Sequence, residues 1–228
     1  MAIHLQKELE VLKDELLALG VVVEDTVDSA VRALKALDKN LAKKVIESDN
    51  VIDQKEVEVE EECLKILALY QPVAIDLRFV VSALKINNDL ERVGDLAVNI
   101  AERVCFLCEE DQVEIPFDYH KMAVTTKAML KKAMAALVRF DLQMANEVCI
   151  EDDVVDEINR QMYETVYRRI REKPQHVEAL IHYLTISRHL ERIADYATNI
   201  AEDVIYMIEG TIVRHHPEMF LHSKSPKK

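Results

Sequence analysis

Glu91, Asp95, Asn99 and Glu102 stand at i, i+4, i+8 and i+11 in the stretch LERVGDLAVNIAE, residues 90–102. An α-helix turns about 100° per residue, so these side chains fall within roughly 80° of one another on one face. The set returns as Glu191, Asp195, Asn199 and Glu202 in LERIADYATNIAE, residues 190–202. A second acidic line, Asp49, Asp53, Glu56 and Glu60, lies upstream of the first. Its own repeat keeps Asp152 and Asp156 and continues into Asn159 and Tyr163. Carboxylates one helical turn apart repel by about 0.2–0.5 kcal/mol in water. Beside a protein interior that cost climbs steeply unless a counter-charge is supplied.

The acids do lie beside apolar stripes. Ile86, Leu90, Val93, Ala97, Ile100 and Val104 form one stripe, and Leu41, Val45, Ile52, Val59, Cys63 and Ile66 another. Two sources of positive charge are open. Arg92 and Arg192 are adjacent in sequence, but an i+1 neighbour points about 100° away and must curl around or serve another helix. The other source is a metal ion, since hard cations take several oxygens from Asp, Glu and Asn side chains. Against both stands the plain alternative of a solvated acidic face with surface ion pairs.

A chain of 228 residues makes one large domain or two of about 100. Only 3 Gly, 5 Pro and no Trp occur, which favours long helices over β structure. The copying extends to AVRALKALDKNLAKKVIESDNVID (30–53) against AMAALVRFDLQMANEVCIEDDVVD (133–156), pairing Asp38 with Asp141, Asp49 with Asp152 and Asp53 with Asp156. The reading is all-α, two tandem units of three antiparallel helices each. Expected spans are 3–37, 40–70 and 73–110, then 118–140, 143–172 and 175–209. Asp38 and Asp141 are expected to cap or flank the second helices. The expected domains are 1–114 and 115–212, with 213–228 as a flexible basic tail.

A net charge of −13 disfavours nucleic-acid binding. No apolar run is long enough to span a membrane and no signal peptide is visible, so the expected location is cytoplasmic. Cys63, Cys105, Cys108 and Cys149 are then expected as free thiols. The Cys105–Cys108 pair, His215, His216 and His222 in the tail, and the basic run Arg168-Arg169-Ile170-Arg171 all read better as packing or solvation than as sites.

These residues carry a resemblance. The two LER…NIAE helices, the segment PVAIDLRFVVSALKINNDLER (72–92) and the duplication resemble the PhoU family, accessory regulators of bacterial phosphate uptake. The resemblance covers about residues 3–212. It implies two three-helix bundles related by pseudo-twofold symmetry and multinuclear metal sites on the E/DxxxD repeats. Here those are Asp49, Asp53, Glu91, Asp95 and Asn99, then Asp152, Asp156, Glu191, Asp195 and Asn199. The implied metals are iron or zinc, with magnesium or manganese also among those considered for the family. The implied partners are the ATPase of the phosphate ABC transporter and a sensor histidine kinase, with Asp76 and Arg78 of the DLR segment as partner-binding residues. A homodimer is expected.

Two departures bear on the second copy. His176, Val177 and Glu178 replace Asp76, Leu77 and Arg78, and His189 and Ala194 replace Asp89 and Gly94, so equal metal content in the halves is not implied. The leading reading is a metal-binding regulator that is not an enzyme and acts by protein–protein contact. A metal-dependent phosphohydrolase and a structural helical adaptor are the alternatives.

Overall fold

The computed structural model describes residues 2–110, 113 and 119–213, with side chains from residue 4 onward. Among them are seven α-helices and one 3₁₀ turn, and no strand. The helices are α1 (Ala2–Ala36), α2 (Lys39–Glu47), α3 (Asp49–Tyr70), α4 (Ala74–Leu107), α5 (Tyr119–Arg139), α6 (Leu142–Glu172) and α7 (Val177–Glu209). They make two three-helix bundles, α1 with α2–α3 and α4, and α5 with α6 and α7.

Both caps form as the sequence reading expects. Asp38 accepts from the Asn40 and Leu41 backbone N–H groups at 3.0 Å, and Asp141 from that of Met144 at 3.0 Å. Each answers donors that the first helical turn leaves unpaired. Leu37 and Phe140, which precede the caps, adopt the same left-handed conformation, with φ of 47° and 51°. The duplication therefore reaches the backbone of the turn.

One expected helix, 40–70, is divided at Ser48. The Ser48 Oγ donates back to the Val45 carbonyl at 2.7 Å, the local bond by which serine competes with a helical ladder. Its counterpart in the repeat is Glu151, which has no such bond to offer, and α6 runs unbroken.

The halves are joined chiefly by α4 against α7 and, less extensively, by α1 against α5. Arg78 meets Gly210, Lys85 pairs with Asp203 at 3.2 Å, and Phe106 stacks on His182 with ring centroids 3.8 Å apart. Advancing along α4 means retreating along α7, so the pair is antiparallel. Its midpoint falls at Gly94 and Ala194, equivalent residues of the two copies, as a pseudo-twofold axis across the helices requires. Asp203 is only 2% exposed, and Lys85 supplies charge for it from the rim.

Within each bundle the second and third helices pack at the same height by different means. A Cβ on Gly94 would stand 2.9 Å from Ile52 Cδ1, inside contact distance. In the repeat the residues are Ala194 and Val155, both buried. A methyl has moved from one helix to the other with the total volume kept, the kind of swap that cores tolerate.

Gly94→Ala should therefore destabilise by about 1 kcal/mol net, an overpacking cost of about 1–3 kcal/mol less about 1 kcal/mol of helix propensity. In an Ile52→Val background the same change should become stabilising, by about 1 kcal/mol. Denaturant unfolding of the four proteins measures this, and equal effects in both backgrounds would remove the packing account.

Candidate metal centre

In the first bundle α3 and α4 are clamped by Asn87, whose amide donates to the Glu56 carbonyl at 2.9 Å and to Glu56 Oε1 at 3.1 Å. Together with the close approach at Gly94, this sets Asp49, Asp53 and Glu56 facing Glu91 and Asp95. The groups sense one another. Burial raises the Asp49 carboxyl above its ordinary range, and the charges of Asp53 and Asp95 add to it. Glu91 is raised by burial and then by Asp95, with Arg92 opposing. Arg92 does curl around: its Nε lies 3.3 Å from Glu91 Oε2 and its Nη1 donates to Asp95 Oδ2 at 3.0 Å.

The second bundle repeats the clamp with other atoms. Ser187 Oγ donates to Asn159 Oδ1 at 2.7 Å, both residues being buried. Facing them, Asp152 is the acid most shielded from water, while Asp156 and Asp195 are exposed. Asp152 is pushed up to about 7, by burial first and then by Asp195, Asp156, Asp153 and Glu191. Asp195 is pushed up to about 6 by burial, Glu191 and Asp156, against Arg192. Asp195 is itself exposed, so the half-buried Asp152 is the better gauge of the site's shielding. Its Oδ1 is buried with no hydrogen-bond partner. Glu191 is raised by burial and Asp156, with Arg188 and Arg192 opposing. Asn99 and Asn199 are half-buried one turn beyond Asp95 and Asp195. An open cleft of about 700 Å³ borders this cluster, lined by Asp153, Asp156, Glu157 and Glu191 with Asn159, Arg160 and Tyr163.

Asn87 and Ser187 are absent from the sequence reading. Each stands one turn ahead of its acidic set, at i−4 from Glu91 and Glu191, and that spacing is the signal which could have found them. The DLR residues part company. Asp76 lines an apolar groove of about 540 Å³ with Leu9, Phe79 and Phe140. Arg78 packs against Gly210 at the end of α7, so closely that a Cβ there would lie 2.7 Å from its Nη1. The four cysteines are free thiols, and Cys108 donates to the Leu37 carbonyl at 3.1 Å. His215, His216 and His222 lie outside the described residues, as does the expected tail from residue 214; Val213 is buried against the core.

A family model described as the PhoU domain matches twice, over residues 16–104 and 119–204. The chain belongs to the PhoU family. It is 37% identical over 209 residues to a Thermotoga maritima protein named phosphate-specific transport system accessory protein PhoU homolog 1, covering 91% of this chain and 90% of that one. A Pseudomonas aeruginosa homologue is 40% identical over 211 residues, covering 91% of this chain and 86% of that one. The crystal structure of PhoU from Pseudomonas aeruginosa superposes with a TM-score of 0.87 at 39% identity, over 90% of this chain and 99% of that one. The PhoU structure from Streptococcus pneumoniae gives 0.82 at 32% identity, over 92% and 99%.

The metals that PhoU resemblance implies can be tested against these side chains. Among the described residues no three His, Cys, Asp or Glu side chains converge closely enough to hold an ion as they stand. The donor chemistry nevertheless fits. Each half offers hard oxygen donors from two facing helices, and the second includes the unpartnered Asp152 oxygen.

The raised carboxyls fix the pH response of metal-free protein. For a carboxyl raised in the folded state, the native fold holds the proton more tightly. That stabilisation is full below the ordinary Asp range and is lost as pH rises through about 7 for Asp152. In chelator, thermal stability should rise from pH 8 to pH 6. Asp152→Asn should flatten that rise and be the more stable protein at pH 8; an unchanged slope would contradict it.

Proposed function

We propose that this chain is a metal-binding regulator of phosphate uptake and phosphate-starvation signalling, working by contact rather than by catalysis. What carries the metal reading is the second acidic cluster, where Asp152 keeps a buried, unpartnered oxygen amid Asp156, Glu191 and Asp195. That oxygen calls for a proton or a cation, and a hard cation would answer it together with its acidic neighbours. Asp49, Asp53, Glu91 and Asp95 would hold the ions of the first bundle, with Asn99 and Asn199 at the margins of the two sites. A bound cation would supply positive charge and draw the facing helices together. Iron, zinc, manganese and magnesium are the metals to test.

The phosphate role rests on the names of the relatives, accessory proteins of phosphate-specific transport systems. We assign as partners the ATPase of the phosphate importer and a sensor histidine kinase, met in the cytoplasm by a homodimer. No helix among the described residues is long and apolar enough to cross a membrane, which suits attachment through partners. Asp76 is available to a partner, while Arg78 serves the fold at Gly210.

Elemental analysis of protein purified without chelators tests the reading. Several metal ions per chain are expected, with Glu91→Ala/Asp95→Ala and Asp152→Ala/Asp156→Ala each losing its own half's share. No retained metal at micromolar supply removes the metal reading. Saturable binding to the purified importer ATPase tests the contact reading separately, and its absence with metal-loaded protein would count against it.

A further inference from the structure

The two acidic sites differ in how their charge is answered. In the first, one guanidinium spans both carboxylates of the Glu91/Asp95 pair, through Nε at 3.3 Å and Nη1 at 3.0 Å. Arg92 is itself 53% exposed, so its planar head is free to leave toward water. Arg192 occupies the equivalent place in the repeat. Among the described residues, neither it nor any other Lys, Arg or His forms an ion pair with Asp152, Asp156, Glu191 or Asp195. The second cluster also keeps the buried Asp152 oxygen without a partner, and Asp49, its counterpart in the first, has no such orphan.

We propose that Arg92 is the resident counter-cation of the first site, and that it makes the two sites fill in order, the second bundle before the first. The proposal rests on the metal reading above. A hard dication needs the same carboxylate oxygens that the guanidinium occupies. Arginine cannot yield by losing its proton, so it yields only by moving. Entry to the first site must therefore break two ion pairs, whereas at the second Arg188 and Arg192 act only at a distance and no ion pair has to break. Since the displaced pairs are exposed, the exchange is a graded handicap and not a block. The duplication thus provides two sites tuned to different metal concentrations from nearly the same residues.

The test is a titration of the chelator-stripped full chain with Mn²⁺, followed by calorimetry and by bound-metal analysis. Wild type should bind in two phases. Asp152→Asn/Asp156→Asn should remove the tighter phase, and Glu91→Gln/Asp95→Asn the weaker. Arg92→Gln should tighten the weaker phase by about tenfold, the scale of two exposed ion pairs, and leave the tighter one in place. Arg192→Gln, which removes a nearby charge but breaks no ion pair, should shift the tighter phase by less than Arg92→Gln shifts the weaker one. An unchanged weaker phase in Arg92→Gln overturns the proposal, as does prior filling of the Glu91/Asp95 site in wild type. If Mn²⁺ binds to neither site in any of these proteins, the metal reading itself fails and the proposal falls with it. Two normal phases that are indifferent to Arg92 sink the proposal alone.

Discussion

Carboxylates held against the flank of an apolar core, facing other carboxylates, are the constraint around which this molecule is arranged. Water cannot fully solvate them there, and their own helix backbone offers no acceptor-satisfying donors in mid-helix. Each bundle must therefore either bring a cation or bind protons. The core packing decides how hard that choice presses. Where α3 and α4 meet at Ile52 and Gly94, the acids stay open enough for Arg92 to reach across them. Where α6 and α7 meet, Asp152 is half-buried with one oxygen unpartnered and is raised to about 7.

The duplicated fold keeps the constraint and varies the solution. The clamp beside the acids is Asn87 on Glu56 in one half and Ser187 on Asn159 in the other, two different hydrogen bonds holding the same pair of helices. The methyl that separates Ile52 from Val155 is returned in Ala194. At the joint between the halves, the symmetry is again broken in charge: Lys85 answers a buried Asp203, while burial and then Arg103, the counterpart of Asp203, keep His189 in its neutral form. Such differences leave the helix axes related by the pseudo-twofold and make the two acidic sites chemically unequal.

Much of this was legible in the sequence, because it follows from helical spacing. The repeat, the helices, the Asp38 and Asp141 caps and the placement of the acids beside the core stripes all depend on residues within a few turns of one another. What spacing could not reveal lies in side-chain choices made across helices. Whether Arg92 curls back to its own turn or serves α7 is a question of rotamer and neighbours, and its geometry in the fold answers it. Arg78 sits in a motif that suggests an outward-facing grip, yet Gly210, more than 100 residues away, leaves a hollow that its guanidinium fills. The break at Ser48 depends on one hydroxyl bond that helix propensity alone does not forecast. The sequence also leaves equal metal content in the halves open, since the second lacks the DLR segment and carries His189 in place of Asp89. The structure adds that the second site keeps an unpartnered Asp152 oxygen, which the first site does not match at Asp49.

On the reading proposed above, the facing acids of α6 and α7 close around metal. Anomalous diffraction from crystals of the full chain grown with Mn²⁺ tests it most directly. A peak is expected within bonding distance of oxygens from Asp152 or Asp156 on one helix and Glu191 or Asp195 on the other. Peaks confined to surface histidines or lattice contacts, with these four carboxylates unmoved, would contradict it.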